Sequence, residues 1–134
     1  MTLPSYMRDS TGPIASVAVA VVAAASAIFY GSAASLEVGF VVTAIALGLA
    51  AGLLSGSVNG AFQRPDVEAR GMVDWRSINI VPWTLALITA VSVFGGLEPS
   101  LRELALVGVF GAGIGNAIGL LGWRAIRGLR ADRL

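Results

Sequence analysis

The chain has 134 residues, 56% of them apolar and only 13% charged, with a net charge of +1. Soluble domains carry about 45–50% apolar and about 25% charged residues, so this composition, with a mean hydropathy of +0.81, points away from a water-soluble globule and toward the bilayer as solvent. With no cysteine and no histidine, disulfides, thiol catalysis and thiolate metal sites are excluded and the commonest general base and metal ligand is lost; the small net charge gives no field for nucleic acid.

Four apolar stretches follow one another. They cover about 13–30, 38–58, 79–96 and 104–123, against the roughly 20 residues, range about 17–25, that a spanning helix needs. The first follows Arg8 and is Ala/Ser-rich, as a signal peptide could be. It exceeds the usual apolar region of about 7–15 residues, so a retained helix is expected. The third is the shortest and spans only if it begins near Ile78 and runs into Gly95 and Gly96. Between the second and third lies a polar loop, 59–78, and after the fourth a basic tail, 124–134. The expected fold is therefore all-α: one transmembrane domain, a four-helix membrane bundle.

All nine positive charges are arginine. Arg8, Arg64, Arg70, Arg76, Arg124, Arg127, Arg130 and Arg133 fall on one side of such a bundle and only Arg102 on the other. The positive-inside rule then places both termini in the cytoplasm. Trp75, Trp83 and Trp123 lie toward the inner boundary, Phe29 and Tyr30 at the outer one, as interfacial aromatics do. Arginine without lysine, amid abundant Ala, Gly and Val, suggests a GC-rich genome. The expected location is the cell membrane of a prokaryote, or a viral envelope derived from one.

The second and fourth stretches match at a shift of 67 residues: "GLAAGLLSG" (Gly48–Gly56) lies over "GNAIGLLGW" (Gly115–Trp123). Pro13 and Pro82 each stand near the start of a hairpin. The pattern predicts two tandem helical hairpins related by duplication, about an axis along the membrane normal. Chance similarity within a small alphabet is the alternative.

Glycine-rich "GAGIGNAIGLLGW" (Gly111–Trp123) could suggest a phosphate loop. That motif needs a strand before it and Lys-Ser/Thr at its end, and neither is present. In a helix, Gly111, Gly115 and Gly119 recur every four residues and form a smooth ridge. Gly48, Gly52, Gly56 and Gly60 form another. Such ridges let backbones approach closely in lipid, either within a protomer, helix two on helix four, or between protomers.

No ionisable residue lies well inside any stretch, which argues against proton relays, voltage sensing and most ion-coupled transport. Asn116 is the deepest polar residue and Asn59 lies near the inner end of the second helix. Both are expected to bond across helices, Asn116 for under about 2 kcal/mol; a pore-lining role is the alternative. Thr43, Ser55, Ser57, Thr84 and Ser92 can bond their own helix backbone. Glu37 and Glu103 sit at expected outer helix starts, where a carboxylate complements the dipole.

The loop "GAFQRPD" (Gly60–Asp66) resembles the polar loop of rotary ATPase proteolipids. Its Gln-Arg-Pro order departs from that family, and the ion-binding carboxylate expected in the next helix is missing, so rotary proton transport is rejected. Pro65, Asp66, Glu68 and Arg70 instead suit a short interfacial helix, with Val67, Met72 and Trp75 toward lipid. The tail arginines Arg124, Arg127, Arg130 and Arg133 should meet anionic headgroups of the inner leaflet or an acidic partner.

The expected function is thus non-enzymatic: a small structural or accessory membrane protein that packs into a homo-oligomer or a larger membrane complex through its glycine ridges. A membrane protein of an enveloped virion would look the same. A small oligomeric channel or transporter is the alternative. No catalytic residue, cofactor, metal site or nucleic-acid partner is expected.

Overall fold

The computed structural model describes residues 12–30, 37–62 and 78–132, with side chains as far as Ile126. Over these residues it is all-helical: α1 (Pro13–Tyr30), α2 (Val38–Phe62), α3 (Val81–Phe94) and α4 (Pro99–Asp132). Three segments, Pro13–Tyr30, Val38–Phe62 and Pro99–Ile126, are long and apolar enough to cross a membrane; α3, with 14 residues, is shorter. The expected central interfacial helix, with Arg64, Arg70, Arg76 and Trp75, lies outside the described residues, as do Arg8 and Arg133.

Local chemistry explains the helix ends. Pro13 and Pro99 occupy first helical positions, where the missing N–H costs nothing and φ is already set. The Glu37 carbonyl accepts from Phe40 N at 3.1 Å and opens α2. At the end of α3, Gly95 N donates to Val91 O at 2.8 Å and Gly96 follows with φ of +70°. A left-handed glycine just past the last turn is a common helix stop, so α3 cannot run on through Gly95 and Gly96 as the apolar pattern allowed. A Cβ at Gly96 would touch nothing within 4 Å, so Gly96→Ala isolates the backbone term. It should cost about 1–2 kcal/mol in denaturant unfolding; an unchanged midpoint would count against the turn.

Helix α4 is the centre of the structure. It begins at Pro99, not Leu104, and continues unbroken through the basic tail to Asp132. One face meets α2; α1 and α3 pack on it elsewhere and touch each other. Leu106 and Val109 of α4 form the apolar core with Ala23 of α1 and Leu85 of α3. The buried positions of α1 are Pro13, Ser16, Ala20 and Ala23, and those of α3 are Pro82, Leu85, Thr89 and Ser92. The two sets share one spacing, so each helix buries one narrow stripe.

This arrangement corrects the expected tandem hairpins. α1 and α2 are consecutive in the chain but barely touch, whereas α2 lies on α4. A two-fold relation between halves would place α3 on α2 as α1 lies on α4, yet α3 joins α1 on α4. The reason is steric: α2 buries only Gly52, Gly56 and Gly60, and that smooth stripe matches the glycine face of α4 rather than the larger residues of α1 or α3.

Candidate functional site

Two structures inside the bundle bring together residues distant in sequence. The first is the contact of α2 with α4. A Cβ built at Gly48, Gly52 or Gly56 would collide with the carbonyl oxygens of Gly108, Ala112 and Asn116 respectively. Reciprocally, Gly111 would meet Ile45 O at 2.5 Å, Gly115 would collide with Leu49 O, and Gly119 would meet Ser57 N at 2.7 Å. Residue numbers rise together on both helices, so the pair is parallel. Gly48, Gly52 and Gly56 therefore face Gly111, Gly115 and Gly119 across a register of 63 residues. The sequence match pairs Gly48 with Gly115 instead, one helical turn away. Gly60 ends the seam against Trp123, where a Cβ would lie 2.9 Å from the tryptophan Cβ. Gly113 turns to another face and meets Ser16 O of α1.

The second structure is a buried polar cluster centred on Asn116. Its Oδ1 accepts from Ser16 Oγ at 2.7 Å and from Asn79 Nδ2 at 2.5 Å. Its Nδ2 donates to Ser55 Oγ at 3.2 Å and, at 3.5 Å, to Asn79 Oδ1. Ser16 belongs to α1, Ser55 to α2 and Asn79 to the entry of α3, so one amide ties all three partner helices to α4. An amide offers two donors and two acceptor lone pairs, and all four are engaged here. Asn116 and Ser16 are wholly buried, and Asn79 nearly so.

Asn79 also organises the chain before α3. Its Oδ1 accepts from Val81 N at 3.2 Å, satisfying a free N–H of the first turn. One residue earlier, Ile78 O accepts from Asn59 Nδ2 at 2.9 Å. Asn59 thus bonds backbone at the same end as Asn79, while its own Oδ1 is buried without a hydrogen-bond partner. All three asparagines of the chain therefore serve this junction. Thr43, Thr84 and Ser92 bond carbonyls one turn back in their own helices. Ser55 does so to Gly52 O at 3.0 Å and also receives Asn116.

Sequence reasoning did not single out Asn79 and assigned Ser16 no polar role; it expected Ser55 to bond its own helix backbone, which it does, but not to receive Asn116. The available signal was rarity: Asn79 is one of three asparagines and directly precedes an apolar run. Glu103 needs correction. Because α4 starts at Pro99, Glu103 is its fifth residue, past the capping positions, and the first turn holds no acidic group. Arg124 is exposed. Arg127 and Arg130 continue the helix, with side chains outside the described residues. Among the described residues no three Asp or Glu come together as a metal site.

The fold defines a class, an all-helical protein with three helices long and apolar enough to cross a membrane. No protein-family model, curated protein or solved structure matches the chain.

Proposed function

We propose that this is a non-enzymatic integral membrane protein with both termini in the cytoplasm, serving as a structural or accessory subunit of a homo-oligomer or larger membrane complex. The observation that carries this reading is how the interior is filled. Backbone lies directly on backbone along the glycine seam, and the deepest polar side chain, Asn116, spends every hydrogen bond on its neighbours. Such an interior favours rigid packing over passage of a solute. The seven ridge glycines lie inside the protomer, so assembly would use the other faces. The outer face of α2, with Phe40, Val42, Leu47, Leu54 and Val58 exposed, is the broadest of these.

The short α3 fits a membrane setting. Its 14 residues span about 21 Å at 1.5 Å per residue, against a hydrocarbon core of about 30 Å. Asn116 stands seven residues, about 10 Å, from Trp123 at the expected inner interface. A helix entered at the level of Asn79 and Asn116 then has the length to reach the outer surface. Its non-helical entry is tolerable because Asn59 and Asn79 bond the backbone there; bare backbone in lipid is costly. At the inner surface, α4 carries Arg124, Arg127 and Arg130 beyond Trp123. Each is worth about 1 kcal/mol near anionic headgroups.

Reconstituted in liposomes, the full chain should leave proton, sodium and potassium permeability at the level of protein-free vesicles. A saturable flux that disappears in folded Asn116→Leu would replace this reading with the channel.

A further inference from the structure

Two exposed features lie on different flanks of α4. The first is a ridge on α2, the least buried of the three membrane-length helices. Phe40, Leu47, Leu54 and Val58 are each more than half exposed. They recur at intervals of seven, seven and four, so they form one line along the helix. Leu54 stands two residues from both Gly52 and Gly56, about 160° round the helix from each. The line therefore points away from the glycine seam on α4.

The second is a groove of about 430 Å³ between α1 and α3, with Ala18, Val22, Ser26, Ala86, Thr89 and Ala90 among its walls. Ala23 and Leu85 turn inward to the core on α4, whereas Ala18, Val22, Ala86 and Ala90 are exposed, so the groove opens outward. It asks for no polar partner: Ser26 Oγ donates to Val22 O and Thr89 Oγ1 to Leu85 O, both at 2.8 Å. On α4, Gly111 and Gly115 face α2 while Leu106 and Val109 face α1 and α3. One copy can thus use its ridge and its groove at once.

We propose that the α2 ridge of one copy seats in the α1–α3 groove of the next, all copies sharing one orientation in the membrane. This names the partner in the subunit reading above and rests on that reading. Ridges pack into grooves between helices, and in lipid the gain is van der Waals contact, which the small walls Ala18, Ala86 and Ala90 permit. Depth selects a second copy. Ser16, Ser55 and Asn79 all bond the Asn116 amide and so mark one level of the bundle. Toward the end where α1 finishes, Leu47 stands eight residues from Ser55, about 12 Å of helix rise. On the same side Val22 stands six residues from Ser16, about 9 Å, and Ala86 seven from Asn79, about 10 Å. Rotation about the membrane normal preserves depth, so Leu47 of one copy arrives at the groove of the next without a shift along the normal. A lipid chain in the groove requires no such match. The contact is heterologous, leaving a free ridge and a free groove until a ring closes.

The chain has no cysteine, so introduced cysteines report contacts in the native membrane. Leu47→Cys and Ala86→Cys, co-expressed on two differently tagged copies and oxidised, should give the mixed dimer at least five-fold above Ala46→Cys with Ala86→Cys. Ala46 is exposed at nearly the same depth but on another side of α2. The double variant Leu47→Cys/Ala86→Cys should give a ladder beyond the dimer, and each single variant alone should give none. Ala86→Trp, which fills the groove from an exposed position, should release monomers in native mass spectrometry while circular dichroism shows unchanged helix content. Linking of Leu47→Cys to itself, equal yields from Leu47→Cys and Ala46→Cys, or an Ala86→Trp complex of unaltered size would overturn the inference. The native mass of the wild-type chain separates this failure from that of the subunit reading. A fixed complex without the cross-link sinks only the ridge-and-groove contact; a monomeric wild-type chain sinks both.

Discussion

Gly52→Leu should separate α2 from α4 and cost more than about 3 kcal/mol, and even Gly52→Ala should cost about 1–3 kcal/mol, the range for overpacking a tight interior. The reason is geometric. The added Cβ meets the Ala112 carbonyl and the Asn116 amide nitrogen, which are helix backbone and cannot swing aside like a side chain. The helices must move apart, and dispersion contacts along the rest of the seam weaken with them. In lipid those contacts are the main attraction between helices, since tails and leucines are equally apolar. Gly115→Leu should behave alike, because its Cβ meets Leu49 O and Leu53 N. Gly108 and Gly122 are the controls, because a Cβ at either meets nothing within 4 Å. Alanine there should be neutral or stabilising by up to about 1 kcal/mol through helix propensity. Unfolding of the detergent-solubilised chain by increasing SDS reads all four. Equal effects at seam and control glycines would dissolve the argument.

Asn116→Leu should cost about 2–4 kcal/mol, more than the figure for a single inter-helix bond. The excess comes from what is left behind. Ser55 already donates to Gly52 O, and a helical serine such as Ser16 can turn to a carbonyl of its own helix. Asn79 has no such recourse: its Nδ2 loses Asn116 Oδ1 in a buried place, and a buried unpaired donor costs about 1–3 kcal/mol. The double variant Asn79→Leu/Asn116→Leu should therefore be less damaging than the sum of the two single variants, by about 1–2 kcal/mol. Strict additivity in the same SDS titration would mean that the two amides do not act as a pair.

These two sites show what the sequence makes legible. Four apolar runs and two glycine rows are periodic signals, and periodicity reports which face of a helix is smooth. It does not report lateral order. Adjacent segments with a short connection suggest a hairpin, so α1 was expected beside α2, while the matching glycine rows offered helix two on helix four as the packing within a protomer, and the second of these is what the structure has. The one-turn stagger between sequence match and packing register arises because similarity aligns equivalent residues whereas packing aligns complementary ones. Helix boundaries slipped where composition and conformation part. The arginine-rich tail looks like a polar end, but it contains no proline, and α4 continues through it. Asn79 was missed because it stands at the very edge of the third stretch, where a polar residue reads as a boundary, and its partner is 37 residues away. Glu103 was misplaced by the five residues between the apparent and the actual start of α4.

The most direct measurement is native mass spectrometry of the chain gently extracted from its own membrane. The account predicts a complex of fixed stoichiometry, either several copies of the chain or one copy with a larger membrane protein, that survives Gly108→Ala and Gly122→Ala. A bare monomer, accompanied by a saturable ion flux in reconstituted liposomes, would contradict it.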